Sequence, residues 1–197
     1  AAAEERDKPR RLTGLRAMVV MKQMSSAVLA LHRRNLVHRF VKPSNVLLSA
    51  TQNGAVKLCD FSMIKLPERN LPLPDFWMGD VVYTAPEQLE NATAVGPAAD
   101  VYSLGILAYR LLLGRLPDLA AGHAELPADF PEPLVELVRL CTDADPAKRP
   151  LHAGEVLGML ERVPAPTRPV PAKPVVQVVQ TRRAQVVPPL PAATAES

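Results

Sequence analysis

Residues 98–113 are apolar on most faces, and that constrains the fold more than any other stretch of the chain. A helix hydrophobic all round has to be buried, so other elements must surround it. Gly114 supplies its C-terminal stop. The rest of the sequence provides the surroundings. Ala17, Met21, Met24, Val28 and Leu31 recur at spacings of four and three, which marks an amphipathic helix ending near Asn35. Leu134, Leu137, Val138 and Cys141 mark a second such helix, and Ala153, Val156, Leu157 and Leu160 a third. Val46-Leu47-Leu48 and Val56-Lys57-Leu58 read as two short strands joined by a turn carrying Asn53-Gly54. Residues 60–87 read as a long irregular segment. The expected fold is mainly α, with one β-hairpin and no internal repeat.

At 197 residues the chain suits one domain and a tail. Residues 164–197 hold eight prolines and no aromatic residue, so a disordered or polyproline-II tail is expected there. The net charge of +3 lies in this tail, where Arg168, Lys173, Arg182 and Arg183 face one acid, Glu196. The remainder is neutral, so the charge does not argue for nucleic-acid binding. Two distant cysteines, Cys59 and Cys141, without a Cys-x-x-Cys pattern, point to a reduced intracellular (cytoplasmic) setting. No apolar run approaches the ~18 residues of a membrane span, and no signal peptide is evident.

Between the first helix and the first strand lies His38-Arg39-Phe40-Val41-Lys42-Pro43-Ser44-Asn45. Asp60-Phe61-Ser62, Ala85-Pro86-Glu87, Asp100-Val101-Tyr102-Ser103-Leu104-Gly105 and Lys148-Arg149-Pro150 follow in order. This series resembles the protein kinase superfamily, of serine/threonine type. The matching motifs there are the His-Arg-Asp-x-Lys-x-x-Asn catalytic loop, Asp-Phe-Gly, Ala-Pro-Glu, the start of a buried central helix and a late Arg motif. The resemblance covers about residues 12–163. Only 37 residues precede His38, with Gly14 their one glycine, so a Gly-x-Gly-x-x-Gly loop is missing there. The resemblance therefore implies an α+β family fold represented by its mainly α C-terminal lobe, the N-lobe being absent. Residues 1–11 are expected to form a charged N-terminal segment and 164–197 the tail.

The resemblance also implies roles. The loop Asp orients the proton of the attacking hydroxyl, the Lys touches the transferring phosphoryl, and the Asn holds magnesium. Phe40 stands where the Asp should be. It has no lone pair, and losing a positioned base costs roughly 10²–10⁴ in rate. It plugs the site, packs against a partner, or marks drift after activity was lost. Lys42 is either a phosphate contact or a solvated lysine. Asn45 and Asp60 are the implied magnesium ligands for Mg-ATP, or local turn caps. Leu47 lies under the adenine, or is a strand core residue. Asp80, after Gly79, replaces the Thr that bonds the catalytic Asp and Lys; it pairs with Lys42 or stands in as a base.

His38, Phe61 and Asp100 are implied to be architectural: the first two in a hydrophobic column, the Asp as anchor of the loop backbone. Glu87 and Arg149 match a buried ion pair. Arg39 grips a phosphorylated activation loop in many kinases. Between Ser62 and Thr84, however, there is no Ser or Thr, and Tyr83 is the sole Tyr. Arg39 is thus expected to meet an acidic side chain or solvent. His32, His123 and His152 carry no metal-ligand spacing and are read as ordinary.

Three functions follow. The favoured one is an inactive, pseudokinase-like module that binds a protein partner through the face the N-lobe would cover. Another is a weak serine/threonine kinase whose N-lobe is supplied elsewhere. The third is a marginally stable fragment. In the tail, Arg168-x-x-Pro171-x-x-Pro174 and Pro188-Pro189-Leu190-Pro191 resemble ligands of polyproline-recognising domains, with a plain linker as the default.

Overall fold

A computed structural model describes residues 14–49, 54–66, 81–91 and 93–164. The charged N-terminal segment, Asn53, Asp80 and residues 165–197 of the Pro-rich tail lie outside them. The described chain is mainly helical with one two-stranded sheet. Its elements are α1 (Gly14–His32), β1 (Val46–Leu48), β2 (Val56–Leu58), α2 (Pro86–Glu90), α3 (Pro97–Leu113), α4 (Glu132–Cys141) and α5 (Ala153–Arg162).

Helix α3 is the hub. Twelve of its seventeen residues are buried, and Val101, Leu104 and Leu107 join the main core. It ends at Gly114, whose φ of 72° is left-handed and suits glycine. Helices α1 and α4 pack on α3, and α5 packs on both α1 and α4. Ala17, Met21, Met24 and Val28 of α1 are buried, as are Leu134, Leu137, Val138 and Cys141 of α4. Gly105 allows the closest approach between helices. A Cβ there would stand 2.7 Å from both Cys141 Cβ and Thr142 Cγ2.

Helix α1 ends in a turn, with Asn35 at a φ of 56°. The chain then passes through residues 36–42 into the hairpin. Strands β1 and β2 are antiparallel, with Val46 opposite Leu58 and Leu48 opposite Val56. Gln23 fastens the hairpin to α1, its Oε1 accepting from the Val56 N–H at 2.8 Å. No described helix is long and apolar enough to cross a membrane. The short helix α2 falls at the end of the stretch read from sequence as irregular. It begins at Pro86, whose fixed φ suits a first helical position.

Candidate functional site

The site grows from the segment between α1 and β1, and its anchor is Asp100 in the first turn of α3. Asp100 is fully buried. Its Oδ2 accepts from the His38 backbone N–H at 2.8 Å, and its Oδ1 from the Arg39 N–H at 2.7 Å. His32 Nε2 lies 3.0 Å from Oδ2, and His32 Nδ1 accepts from the Ala153 N–H at 3.2 Å. An accepting Nδ1 fixes the proton on Nε2, so His32 donates to Asp100. One imidazole thus joins α1, α3 and the start of α5. His32 is thus more than the ordinary histidine its spacing suggests. The signal was present, since His32 stands four residues after Val28 and prolongs the buried stripe of α1.

Asn45 also serves the loop backbone. Its Nδ2 donates to the Phe40 carbonyl at 2.8 Å, and the Cys59 N–H donates to the Asn45 carbonyl at 3.0 Å. That last bond sets Asn45 beside the Cys59–Asp60 corner at the open end of the hairpin. Asp60 sits at a φ of 65°. Its Oδ1 accepts from the Ser62 hydroxyl at 2.6 Å and from the Ser62 N–H at 3.3 Å. Ser62, in the position of the motif glycine, therefore engages the carboxylate next to it. Asn45 and Asp60 each present a further oxygen, the donor type that suits magnesium. Among the described residues no group of three or more His, Cys, Asp or Glu forms a metal cluster.

Val41 is fully buried, and the flanking Phe40 and Lys42 are half-buried. Lys42 is extended, at φ −154° and ψ 165°. Neighbours two apart on an extended chain share a side. Here they meet: Lys42 Nζ lies 3.7 Å from the centre of the Phe40 ring, a cation–π contact.

Arg39 is buried at a φ of 64°. Its Nε donates to the Met63 carbonyl at 2.6 Å, and its own carbonyl accepts from Gln88 Nε2 at 2.9 Å. Burial pushes its pKa down, with Asp100 opposing. His38 is buried and meets Phe61 edge to face at 5.3 Å. Burial also pushes the His38 imidazole down, against the opposite pull of Asp100, the Cys59 backbone and Asp60. Phe61 itself is 48% exposed, and so is Leu47. Leu47 is therefore not a core residue of the strand. Leu48 and Val81 are exposed as well.

Glu87 and Arg149 form a bidentate pair at 2.7 and 2.9 Å. The other guanidinium hydrogens go to the carbonyls of Asp143, Ala98 and Ala144 at 2.6–3.1 Å. All five donors of Arg149 are thereby used, and its plane lies 4.9 Å over the Tyr102 ring. Asp80 lies outside the described residues.

The family model described as Protein kinase domain matches residues 5–157. The chain belongs to the protein kinase family. Among curated relatives it is 35% identical, over 82% of its length, to "Serine/threonine-protein kinases drp72" of Corynebacterium efficiens, covering 33% of that protein. It is 34% identical, over 76% of its length, to serine/threonine-protein kinase PknL of Mycobacterium tuberculosis, covering 43% of it. It is 33% identical, over 74% of its length, to serine/threonine-protein kinase pkn2 of Myxococcus xanthus, covering 20%. The chain thus spans less than half the length of each of these relatives.

Proposed function

We propose that this chain is a pseudokinase C-lobe: a kinase-like module, residues 12–163, that binds a protein partner and does not transfer phosphate. The contact between Phe40 and Lys42 carries the reading. A hydrocarbon ring occupies the base position, and the ammonium meant for the phosphoryl group stands 3.7 Å above that ring. Neither group then does what phosphoryl transfer asks of it. Phe61, Leu47 and Leu48 beside the loop are half exposed and supply the apolar surface for a partner.

The second reading is a weak serine/threonine kinase completed by an N-lobe elsewhere, and Asn45 and Asp60 favour it. They would hold magnesium with ATP, and the ion would neutralise charge developing on the phosphates. Lys42 and the loop backbone would then position the nucleotide without a base.

One experiment separates the two: thermal unfolding with and without millimolar Mg-ATP, with EDTA as control, followed by phosphoryl transfer by wild type and Phe40→Asp. A ligand at 100 times its Kd adds about 2.7 kcal/mol of stability, a shift of a few degrees or more in Tm. The pseudokinase reading expects no phosphoryl transfer by the wild-type chain. Transfer above background that Asp60→Ala abolishes would overturn it.

A further inference from the structure

The first N–H groups of a helix have no partner within it and must find one outside. In α5 two of them end on imidazole nitrogens. The Ala153 N–H donates to His32 Nδ1 at 3.2 Å, and the Gly154 N–H donates to His152 Nδ1 at 3.1 Å. The third, from Glu155, goes to the His152 carbonyl at 3.1 Å. The usual caps are Ser, Thr, Asp and Asn, whose oxygens accept at any pH near neutral. An imidazole nitrogen accepts only while it carries no proton, and histidine at its ordinary value changes charge between pH 5 and 8. Both histidines line an open groove of about 700 Å³ between the end of α1 and α5, so solvent reaches the pair.

We propose that His32 and His152 form a proton-operated latch on α5. Neutral, they hold its first turn closed and against α1; protonated, they release it. The charges around them fix what moves. Asp100 of α3 faces His32 Nε2, while Arg33 of α1 and Glu155 and Glu161 of α5 share the groove with both rings. Asp100 holds His32 in both states, because a protonated ring still donates its Nε2 hydrogen to that carboxylate. The contact between α1 and α3 therefore survives. The Ala153 bond is the one that differs between the states, and only a difference shifts an equilibrium. His152 belongs to α5 itself, so its protonation uncaps the first turn. Val156 and Leu160 are fully buried and keep the later turns in place. Release is thus confined to the start of α5 and widens the groove at its His152 end. Asp100 also grips the N–H groups of His38 and Arg39, which puts the latch one carboxylate away from the kinase-like loop. The proposal does not depend on whether Phe40 abolishes transfer.

The test is NMR on the full chain between pH 7.5 and 5. The ring nitrogens of His32 and His152 report charge, and the Ala153 and Gly154 amides report the two bonds. Each amide should titrate with the midpoint of its own histidine. Exchange protection of both amides, corrected for the intrinsic rate, should fall by up to about tenfold per pH unit for each proton taken up. Leu104 and Ile106, fully buried in α3, should keep theirs. His152→Asn places a favoured cap that does not titrate at an exposed position, so the fold is expected to survive it. Gly154 should then lose its pH dependence while Ala153 keeps its own. His32→Asn should do the reverse. Flat protection of both amides in the wild-type chain overturns the proposal. So does a fall that Leu104 and Ile106 share equally, because the chain then unfolds as a whole. A Gly154 profile that His152→Asn leaves unchanged overturns it too. If His32→Asn does not fold, the wild-type titration decides its half: an Ala153 midpoint that differs from the His32 ring midpoint overturns the latch.

Discussion

Arg149 and Lys42 are both cations over an aromatic ring, and their surroundings differ. Arg149 is 3% exposed, and all five of its hydrogens are committed to carboxylate or backbone oxygens. Lys42 stands half-buried over Phe40 at the mouth of the loop. The lesson is which atoms hold the loop. Asp100 grips the N–H groups of His38 and Arg39, and Asn45 grips the carbonyl of Phe40. These are main-chain atoms. A side-chain change at position 40 therefore leaves the frame intact, and a chain can lose its base while keeping the architecture.

The sharpest test of this contrast sets Arg149→Ala against Phe40→Ala. Removing Arg149 strands Glu87 and three backbone carbonyls, and breaking such a pair costs about 3–5 kcal/mol. Removing the half-buried Phe40 loses some packing and a cation–π contact of about 0.5–1 kcal/mol. Urea unfolding should rank the first loss well above the second. Equal losses would mean that Phe40 belongs to the frame. A smaller effect is expected from Asp100→Asn. Either amide orientation turns its NH₂ toward a backbone N–H. His32 cannot compensate by moving its proton, because its Nδ1 already accepts from Ala153. The expected loss is about 1.5–3 kcal/mol, read in the same titration.

The frame was the more legible part of the sequence. Periodicity marked α1, α4 and α5, because each buries an apolar stripe and spacing records which residues share a side, while α3 stood out by being apolar on most faces. The candidate site was legible as a set of residues and much less as contacts. Ser62 could be seen to replace a glycine. That its hydroxyl would engage Asp60 depends on a left-handed residue at position 60, which sequence spacing does not encode. His32 escaped because histidine at the end of an apolar stripe looks like any helix terminus. Its role appears only when Asp100, 68 residues away, is folded against it. Leu47 was ambiguous for a similar reason: alternation gives a strand its two sides and does not say which one is covered.

The smallest expected effect concerns pH, and it tests whether His38 belongs to the frame by burial. The ordinary value for histidine is 6.5, and in the folded chain burial holds His38 below it. Below about pH 6.5 the unfolded chain therefore takes up a proton that the native chain refuses. More protons on the unfolded side mean that stability falls as pH falls. It is fully present above 6.5 and is lost on acidification toward the lowered native value. The slope from one such group is at most about 1.4 kcal/mol per pH unit. His38→Phe keeps a ring against Phe61 and removes the titration. Unfolding free energies measured between pH 7.5 and 5.5 should then fall less steeply in the variant than in the wild type. Parallel curves would mean that His38 takes its proton without leaving the fold. The imidazole would then belong with Lys42, on the side of the loop that tolerates change, and the boundary between frame and site would move inward by one residue.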